Sequence, residues 1–205
     1  QFCGGEKIED CVPVIIKLAR FNVKSVLDYS VEGKDNDEDI GKALNETLKA
    51  VEFAGNNPDI PFSVFKPTAF ANHKALEELS ATGQPSAKAL SEGEKFRKRI
   101  DLLCNKAYSF GIPIMIDAED SFYQDFIDKV VMEMMMKYNH KQAIVFNTYQ
   151  MYRWDRLKVL QNDLDKARKN NFFLGAKFVR GAYMERERER ALKMNYRDPI
   201  HPDKE

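Results

Sequence analysis

The residues with the clearest chemical potential lie in the segment 175–185, GAKFVRGAYME. Lys177 and Arg180 place two cations where a short strand gives way to a turn, and Gly181 permits a backbone conformation that a Cβ would obstruct. Tyr183 adds an aromatic face with a polar tip. A strand end followed by glycine and a helix start is a common place to hold an anion. An ordinary βα turn with solvated cations fits the same pattern, so spacing alone leaves both interpretations open.

Polar residues also follow the other predicted strands. Composition and turn residues predict five strands, at 25–31, 62–65, 113–116, 143–146 and 172–179. Their ends carry Asp28, Lys66, Asp117, Asn147, and then Lys177 with Arg180. In a βα barrel such ends converge on one face, whereas an open doubly wound sheet gathers them near a switch point. The barrel is favoured because no GxGxxG follows the first strand and polar residues recur on every strand.

Helical periodicity separates these strands. Helices are predicted at 9–21, 40–51, 71–79, 94–109, 121–138 and 155–169, with a loop at 81–89. The methionine-rich face of 121–138 is interpreted as core packing, and the run ERERER at 185–190 as a solvated helix face. The cadence predicts an α/β fold, a single domain over 1–205, built as a distorted TIM-like βα barrel. A barrel needs eight strands, so about five imply a chain whose remaining strands lie elsewhere.

Composition excludes several classes of protein. With 205 residues, 43% apolar content and no long apolar run, the chain is neither disordered nor predicted to span a membrane. The formal net charge of zero gives no support for nucleic-acid binding. The three cysteines form no CxxC pair and the three histidines are scattered, so neither a disulfide framework nor a metal site is expected.

Four segments carry a family resemblance. VFKPTAF, IMIDAED, IVFNTYQ and KFVRGAYMERERERA, the last followed by YRDPI, resemble proline dehydrogenase, and the likeness runs from LDYSVE to the C-terminus. The combination of RGAY with an upstream IDAE is specific. Asn147 and the DPI tail resemble the eukaryotic and related bacterial monofunctional branch. The bifunctional bacterial enzymes have Gln at the position of Asn147 and Arg at that of Lys177.

The resemblance implies an activity with its cofactor and partners. Members of the family use FAD to oxidise L-proline to 1-pyrroline-5-carboxylate by moving a hydride onto flavin N5, and they pass electrons to a quinone or other respiratory acceptor. A peripheral membrane contact is compatible with this role. The implied location is mitochondrial in a eukaryote, and cytoplasmic or at the inner membrane in a bacterium. The family also uses a paired arginine and FAD contacts from later strands, which these residues lack, so this chain alone is expected to bind FAD weakly and to be inactive.

The resemblance also implies roles for single residues. The implied catalytic residues are Lys66, which binds the substrate carboxylate, Asp117 as its partner, Lys177 near the flavin and Tyr183 at the site wall. The implied cofactor-binding residues are Ala118, Asn147, Lys177, Arg180, Gly181 and Ala182. Asp28 and Tyr29 resemble first-strand residues at the same mouth, and Gln150 is expected to pack behind the site. Without the resemblance, Lys66 fits a surface cation, Asp117 a helix N-cap and Asn147 a turn residue.

Two other functions fit the residues. A Schiff-base lyase on a similar barrel would use Lys66 as nucleophile, which requires a lowered lysine pKa that a nearby Asp117 opposes. A non-catalytic binding module would need no further strands.

Overall fold

The computed structural model describes residues 4–5, 7–28 and 36–202. The helices of this part are α1 (Ile8–Ala19), α2 (Asp37–Gly55), α3 (His73–Ser80), α4 (Ala87–Phe110), α5 (Ser121–Tyr138), α6 (Arg156–Lys169) and α7 (Met184–Met194). The strands are β1 (Ser63–Phe65), β2 (Ile114–Ile116), β3 (Val145–Gln150) and β4 (Ala176–Val179). A short 3-10 helix, Pro67–Phe70, follows β1. From β1 onward, each strand is followed by at least one helix, as in βα units.

The four strands form one parallel sheet in the order β1-β2-β3-β4. One face of the sheet packs against helices, and its side chains, including Phe65, Ile114 and Val145, belong to the hydrophobic core with α4 and α5. We call the opposite face the inner face. Paired residues of a parallel sheet share a face, so the pairing of Thr148 with Lys177 places both on the inner face. Within the described residues, β1 and β4 are edge strands and the barrel is not closed.

Helix α5 has the bounds predicted from its periodicity. Val130 and Met135 are fully buried, which confirms that the methionine-rich face is core. None of the described helices is long and apolar enough to cross a bilayer.

The first predicted strand and helix α4 are two of the predicted elements that differ from the structure. The first predicted strand is not formed over residues 25–28, where the Ser25 amide donates to the Asp59 carbonyl at 2.9 Å, and residues 29–31 lie outside the described part. Helix α4 begins at Ala87, well before residue 94, because the Ser86 side chain accepts a hydrogen bond from the Ala89 amide and caps the helix. The loop predicted over 81–89 is therefore shorter.

Candidate active site

Three predicted site residues meet at the carboxyl ends of the parallel strands. Lys66 follows β1, Asp117 follows β2 and Lys177 lies in β4. Lys66 Nζ lies 3.2 Å from Asp117 Oδ2, and Lys177 Nζ donates to the other oxygen, Oδ1. One carboxylate thus bridges two ammonium groups. The side chains of Lys66, Asp117 and Lys177 are 30%, 17% and 28% exposed, so the cluster is partly accessible to solvent.

The local sequence fixes where Lys66 and Asp117 lie. Pro67 disfavours a helical backbone at Lys66, which is extended with φ −92° and ψ 121°. The Asp117 amide donates to the Phe65 carbonyl at 3.0 Å, which extends the pairing of β1 and β2 by one residue. Both side chains therefore leave the ends of adjacent strands, as the convergence of parallel strands predicts.

Lys66 is held as an ammonium ion. Its burial opposes the charged form, but the carboxylates of Asp117 and Asp28 outweigh that cost and raise the pKa of Lys66 above its ordinary value. Asp28 Oδ2 lies 3.5 Å from Lys66 Nζ, at the limit of a hydrogen bond. The expectation that Asp28 lies at the same mouth agrees with this contact, whereas Tyr29 lies outside the described residues.

Tyr183 stands at the start of α7, beside this cluster. Burial, followed by the negative charge of Glu119, raises the pKa of Tyr183 to about 12, while Lys66 acts in the opposite direction. The side chain is therefore a neutral phenol at physiological pH, able to donate or accept one hydrogen bond. Its electrostatic interactions with Lys66 and Asp117 place it near the cluster, and its role as a wall of the site stays a prediction.

The segment between β4 and α7 is open to solvent. Three residues of this segment are exposed: Arg180, Gly181 and Ala182. Gly181 has a φ of +150°, a backbone conformation that L-residues with a side chain rarely adopt. A Cβ at Gly181 would lie 2.5 Å from Met184 Sδ. A depression of about 470 Å³ runs along this segment and the first turns of α7. Ala118, which follows Asp117, is 7% exposed.

Asn147 does not join the cluster. It pairs with Ile116 and Ala176, on the helix-packed face, and its Nδ2 donates to Asp128 of α5 at 2.9 Å. Its side chain is 2% exposed. The expectation that Asn147 reaches the flavin is therefore corrected, because strand alternation turns its side chain away from the inner face.

Gln150 lies on the inner face of β3 and is buried. Its Nε2 donates to the Glu119 carbonyl at 2.6 Å and to the Tyr152 hydroxyl at 2.8 Å. Its Oε1 accepts a bond from Arg153 at 3.2 Å. The side chain thus links the end of β3 to the segment after β2.

Sequence reasoning missed two buried carboxylates near the site. Glu119 accepts bonds from the Thr68 amide at 3.0 Å and the Thr68 hydroxyl at 2.9 Å. Glu187 of α7 is 1% exposed and accepts bonds from the Ser121 amide and hydroxyl at the start of α5. The interpretation of 185–190 as a solvated face is wrong for Glu187. The proximity of Glu119 to Asp117 was a usable signal, whereas Glu187 meets a partner 66 residues away.

Comparison with known proteins places the chain in a family. The proline dehydrogenase family model matches residues 11–205. The carbapenem antibiotics biosynthesis protein CarD of Pectobacterium carotovorum is 34% identical over 190 residues, covering 91% of this chain and 50% of that protein. Proline dehydrogenase 1, mitochondrial, of Dictyostelium discoideum is 29% identical over 241 residues, covering 98% of this chain and 42% of that protein.

A solved structure shares the fold. Proline utilization A from Bdellovibrio bacteriovorus, inactivated by N-propargylglycine, superposes with a TM-score of 0.83 at 15% identity, covering 98% of this chain and 22% of that chain. At this identity the likeness shows the fold, a βα barrel of which the described residues form four strands. The chain spans half or less of the length of these relatives. The family model covers nearly all of the sequence, and the chain belongs to the proline dehydrogenase family.

Proposed function

We propose that the protein oxidises L-proline to 1-pyrroline-5-carboxylate with FAD as cofactor. The observation that carries the proposal is the cluster of Lys66, Asp117 and Lys177 at the strand ends of a chain in this family. The acceptor of the electrons is proposed to be a quinone or another respiratory carrier. The Dictyostelium discoideum relative is named as a mitochondrial enzyme, and the same location is proposed here if the source is a eukaryote.

Lys66 is the residue proposed to bind the substrate carboxylate. Its side chain is 30% exposed and carries a charge, and a hydrogen bond from an ammonium to a carboxylate is about twice as strong as a neutral one. Asp117 holds Lys66 from one side and leaves part of it accessible. The long contact with Asp28 is the one that a substrate carboxylate would displace most readily, since 3.5 Å is near the limit of a hydrogen bond.

The residues of the inner face fit a flavin. Val64, Met115 and Phe146 lie on this face by strand pairing and are partly exposed, so they offer an apolar surface for an aromatic ring system. The neighbouring Lys177 supplies a cation. FAD would supply the hydride acceptor, as the cofactor carries the redox chemistry in such enzymes. We propose that Lys177 and Ala118, with the segment Arg180, Gly181 and Ala182, hold the cofactor.

The chain's own residues then bind and orient. Lys66 fixes the carboxylate, Tyr183 limits the space beside the ring, and Lys177 would stabilise negative charge that develops on the reduced cofactor. Asp117 holds both lysines in place, because it accepts a bond from each. In this assignment Asp117 is a partner of the lysines and is not assigned as the base.

The other two functions have less support. A Schiff-base lyase needs a neutral lysine, whereas the pKa of Lys66 is raised by its carboxylate neighbours. A non-catalytic module would not require an ion cluster that stands open at the strand ends. The family match likewise favours an enzyme.

The test is to add L-proline without oxygen to the intact natural protein and to measure the absorbance of its flavin. Bleaching of the oxidised flavin band supports the proposal, and Lys66→Met should raise the proline concentration needed for half-bleaching by about tenfold or more. Lys42→Met is the matched control, since Lys42 is an exposed lysine of α2. A protein that stays colourless when supplied with FAD would refute the proposal.

A further inference from the structure

The carboxylate of Glu119 is a buried group that the proposed mechanism does not use. Glu119 is 8% exposed, and each oxygen has one partner on the same residue, the amide and the hydroxyl of Thr68. The two bonds are 3.0 and 2.9 Å long. A buried carboxylate that accepts two hydrogen bonds from one residue fixes the position of that residue.

Thr68 lies two residues after Lys66, in the 3-10 helix that follows β1. Pro67 has no amide hydrogen, so Thr68 carries the first backbone donor after Lys66. Glu119 satisfies that donor, which otherwise has no partner within the helix. Lys66 is therefore held between two anchors, strand β1 before it and the Glu119–Thr68 contact after it.

The backbone of Glu119 is anchored as well. Its carbonyl accepts a hydrogen bond from Gln150 at 2.6 Å, and its amide donates one to Gln124 Oε1 at 3.4 Å. The residue thus connects the carboxyl ends of β1, β2 and β3. These are the ends around which the ion cluster is built.

We propose that Glu119 is a positioning residue, which fixes the Lys66 ammonium for substrate binding by anchoring the turn at Thr68. The proposal rests on the proposed function, because it assigns Lys66 to the substrate carboxylate. Glu119 acts through Thr68 and is not placed in contact with substrate or cofactor.

An alternative role for Glu119 is purely electrostatic, because its charge also acts on Lys66 and Tyr183. Glu119→Gln separates the two roles. A glutamine keeps the shape, accepts from the Thr68 amide with its oxygen, and donates to the Thr68 hydroxyl with its nitrogen, while the charge is lost. Glu119→Ala removes both the bonds and the charge. Thr68→Val removes one of the two bonds and keeps the charge.

The first experiment measures anaerobic flavin reduction against L-proline concentration by stopped flow. Positioning predicts that Glu119→Ala raises the apparent Kd for proline by about tenfold or more, with a smaller change in the limiting rate, and that Thr68→Val changes it in the same direction by less. Glu119→Gln should stay within about twofold of the unsubstituted protein. A Glu119→Gln protein as impaired as Glu119→Ala would overturn the proposal in favour of the electrostatic role.

The second experiment needs no cofactor. Lysine acetylation by a water-soluble reagent, followed by peptide mass spectrometry, reports the accessibility of Lys66. Lys24 is the internal control because it pairs with Asp59, which is not part of the ion cluster. Glu119→Ala and Thr68→Val should each speed labelling of Lys66 but not of Lys24, and Glu119→Gln should leave both unchanged. Equal Lys66 labelling in all four proteins would contradict the proposal.

The two experiments also separate this proposal from the proposed function. If L-proline does not reduce the flavin of the unsubstituted protein, the proposed function fails, while the labelling still decides whether Glu119 positions Lys66. If Glu119→Ala does not fold, Thr68→Val and Glu119→Gln give the decision, because both retain at least one of the two contacts.

Discussion

Glu187 offers a sharp test of how α7 is attached to the barrel. Its carboxylate receives the Ser121 amide at 2.5 Å and the Ser121 hydroxyl at 2.6 Å, and it is 1% exposed. It thereby caps α5, the helix that begins after the Asp117 segment. We expect Glu187→Ala to remove these hydrogen bonds between α7 and α5 and to leave the amide and the hydroxyl of Ser121 without an acceptor.

The magnitude follows from these contacts. A hydrogen bond to a charged group contributes about 1.5 to 3 kcal/mol, and a negative charge at a helix N-terminus adds about 0.3 to 1 kcal/mol. Because removal of a buried acceptor also leaves donors unsatisfied, the free energy of unfolding should fall by about 3 to 5 kcal/mol. Glu189→Ala, on the same helix but at an exposed position, should change it by less than about 0.5 kcal/mol.

The assay is urea unfolding of the two variants and the unsubstituted protein, followed by far-ultraviolet circular dichroism. The denaturant slope should remain the same, so that a shift of the midpoint reports stability. Glu187→Gln should recover part of the loss, since its oxygen can still accept from one Ser121 donor. Equal free energies of unfolding for Glu187→Ala and Glu189→Ala would refute the interpretation that the buried Glu187 carboxylate attaches α7 to α5.

Three further predictions concern charge and backbone. The pKa of Lys66 is raised on folding, so its contribution to the free energy of unfolding is complete below the ordinary lysine pKa and is lost as pH rises through the folded value. In a plot of the free energy of unfolding against pH, Lys66→Met should therefore show a smaller decline at alkaline pH. Gly181→Val should destabilise by about 1 to 3 kcal/mol in thermal unfolding, given its φ of +150°. Arg156→Met should cost about 3 to 5 kcal/mol in urea unfolding because it leaves Asp128, 2.7 Å away, without its cation. An unchanged pH dependence for Lys66→Met, an unchanged thermal transition for Gly181→Val or an unchanged urea transition for Arg156→Met would contradict the prediction for that residue.

The sequence was sufficient for features that follow from local pattern. The bounds of α5 were predicted from its periodicity, and the meeting of Lys66 with Asp117 and Lys177 follows from the convergence of parallel strand ends. These are properties of the chain direction and of the βα repeat. They do not depend on which face a side chain occupies within a strand.

The inward or outward direction of a side chain was harder to predict. The fourth predicted strand, 143–146, was placed too early, and β3 runs from Val145 to Gln150. Asn147 therefore lies inside the strand and points to the helices, while Thr148 and Gln150 occupy the inner face. A strand buried on both faces shows no apolar–polar alternation from which this parity could be read.

Contacts between distant segments were also beyond the sequence. In the run 185–190 the glutamates alternate with arginines, and nothing local distinguishes the buried Glu187 from the exposed Glu185 and Glu189. Its burial is set by Ser121 on another element. Similarly, residues 25–28 have strand-like composition, but the Ser25 amide bonds to the turn after α2. Tertiary contacts here override local propensity.

We propose that this chain carries the substrate-binding face of a flavin-dependent proline dehydrogenase. The most direct test is the absorbance spectrum of the intact protein, loaded with FAD, before and after anaerobic addition of L-proline. We predict that the oxidised flavin band bleaches, and that Lys66→Met requires about tenfold more proline to do so. A protein that binds FAD but shows no bleaching at any proline concentration, or a Lys66→Met variant identical to the unsubstituted protein, would contradict the account.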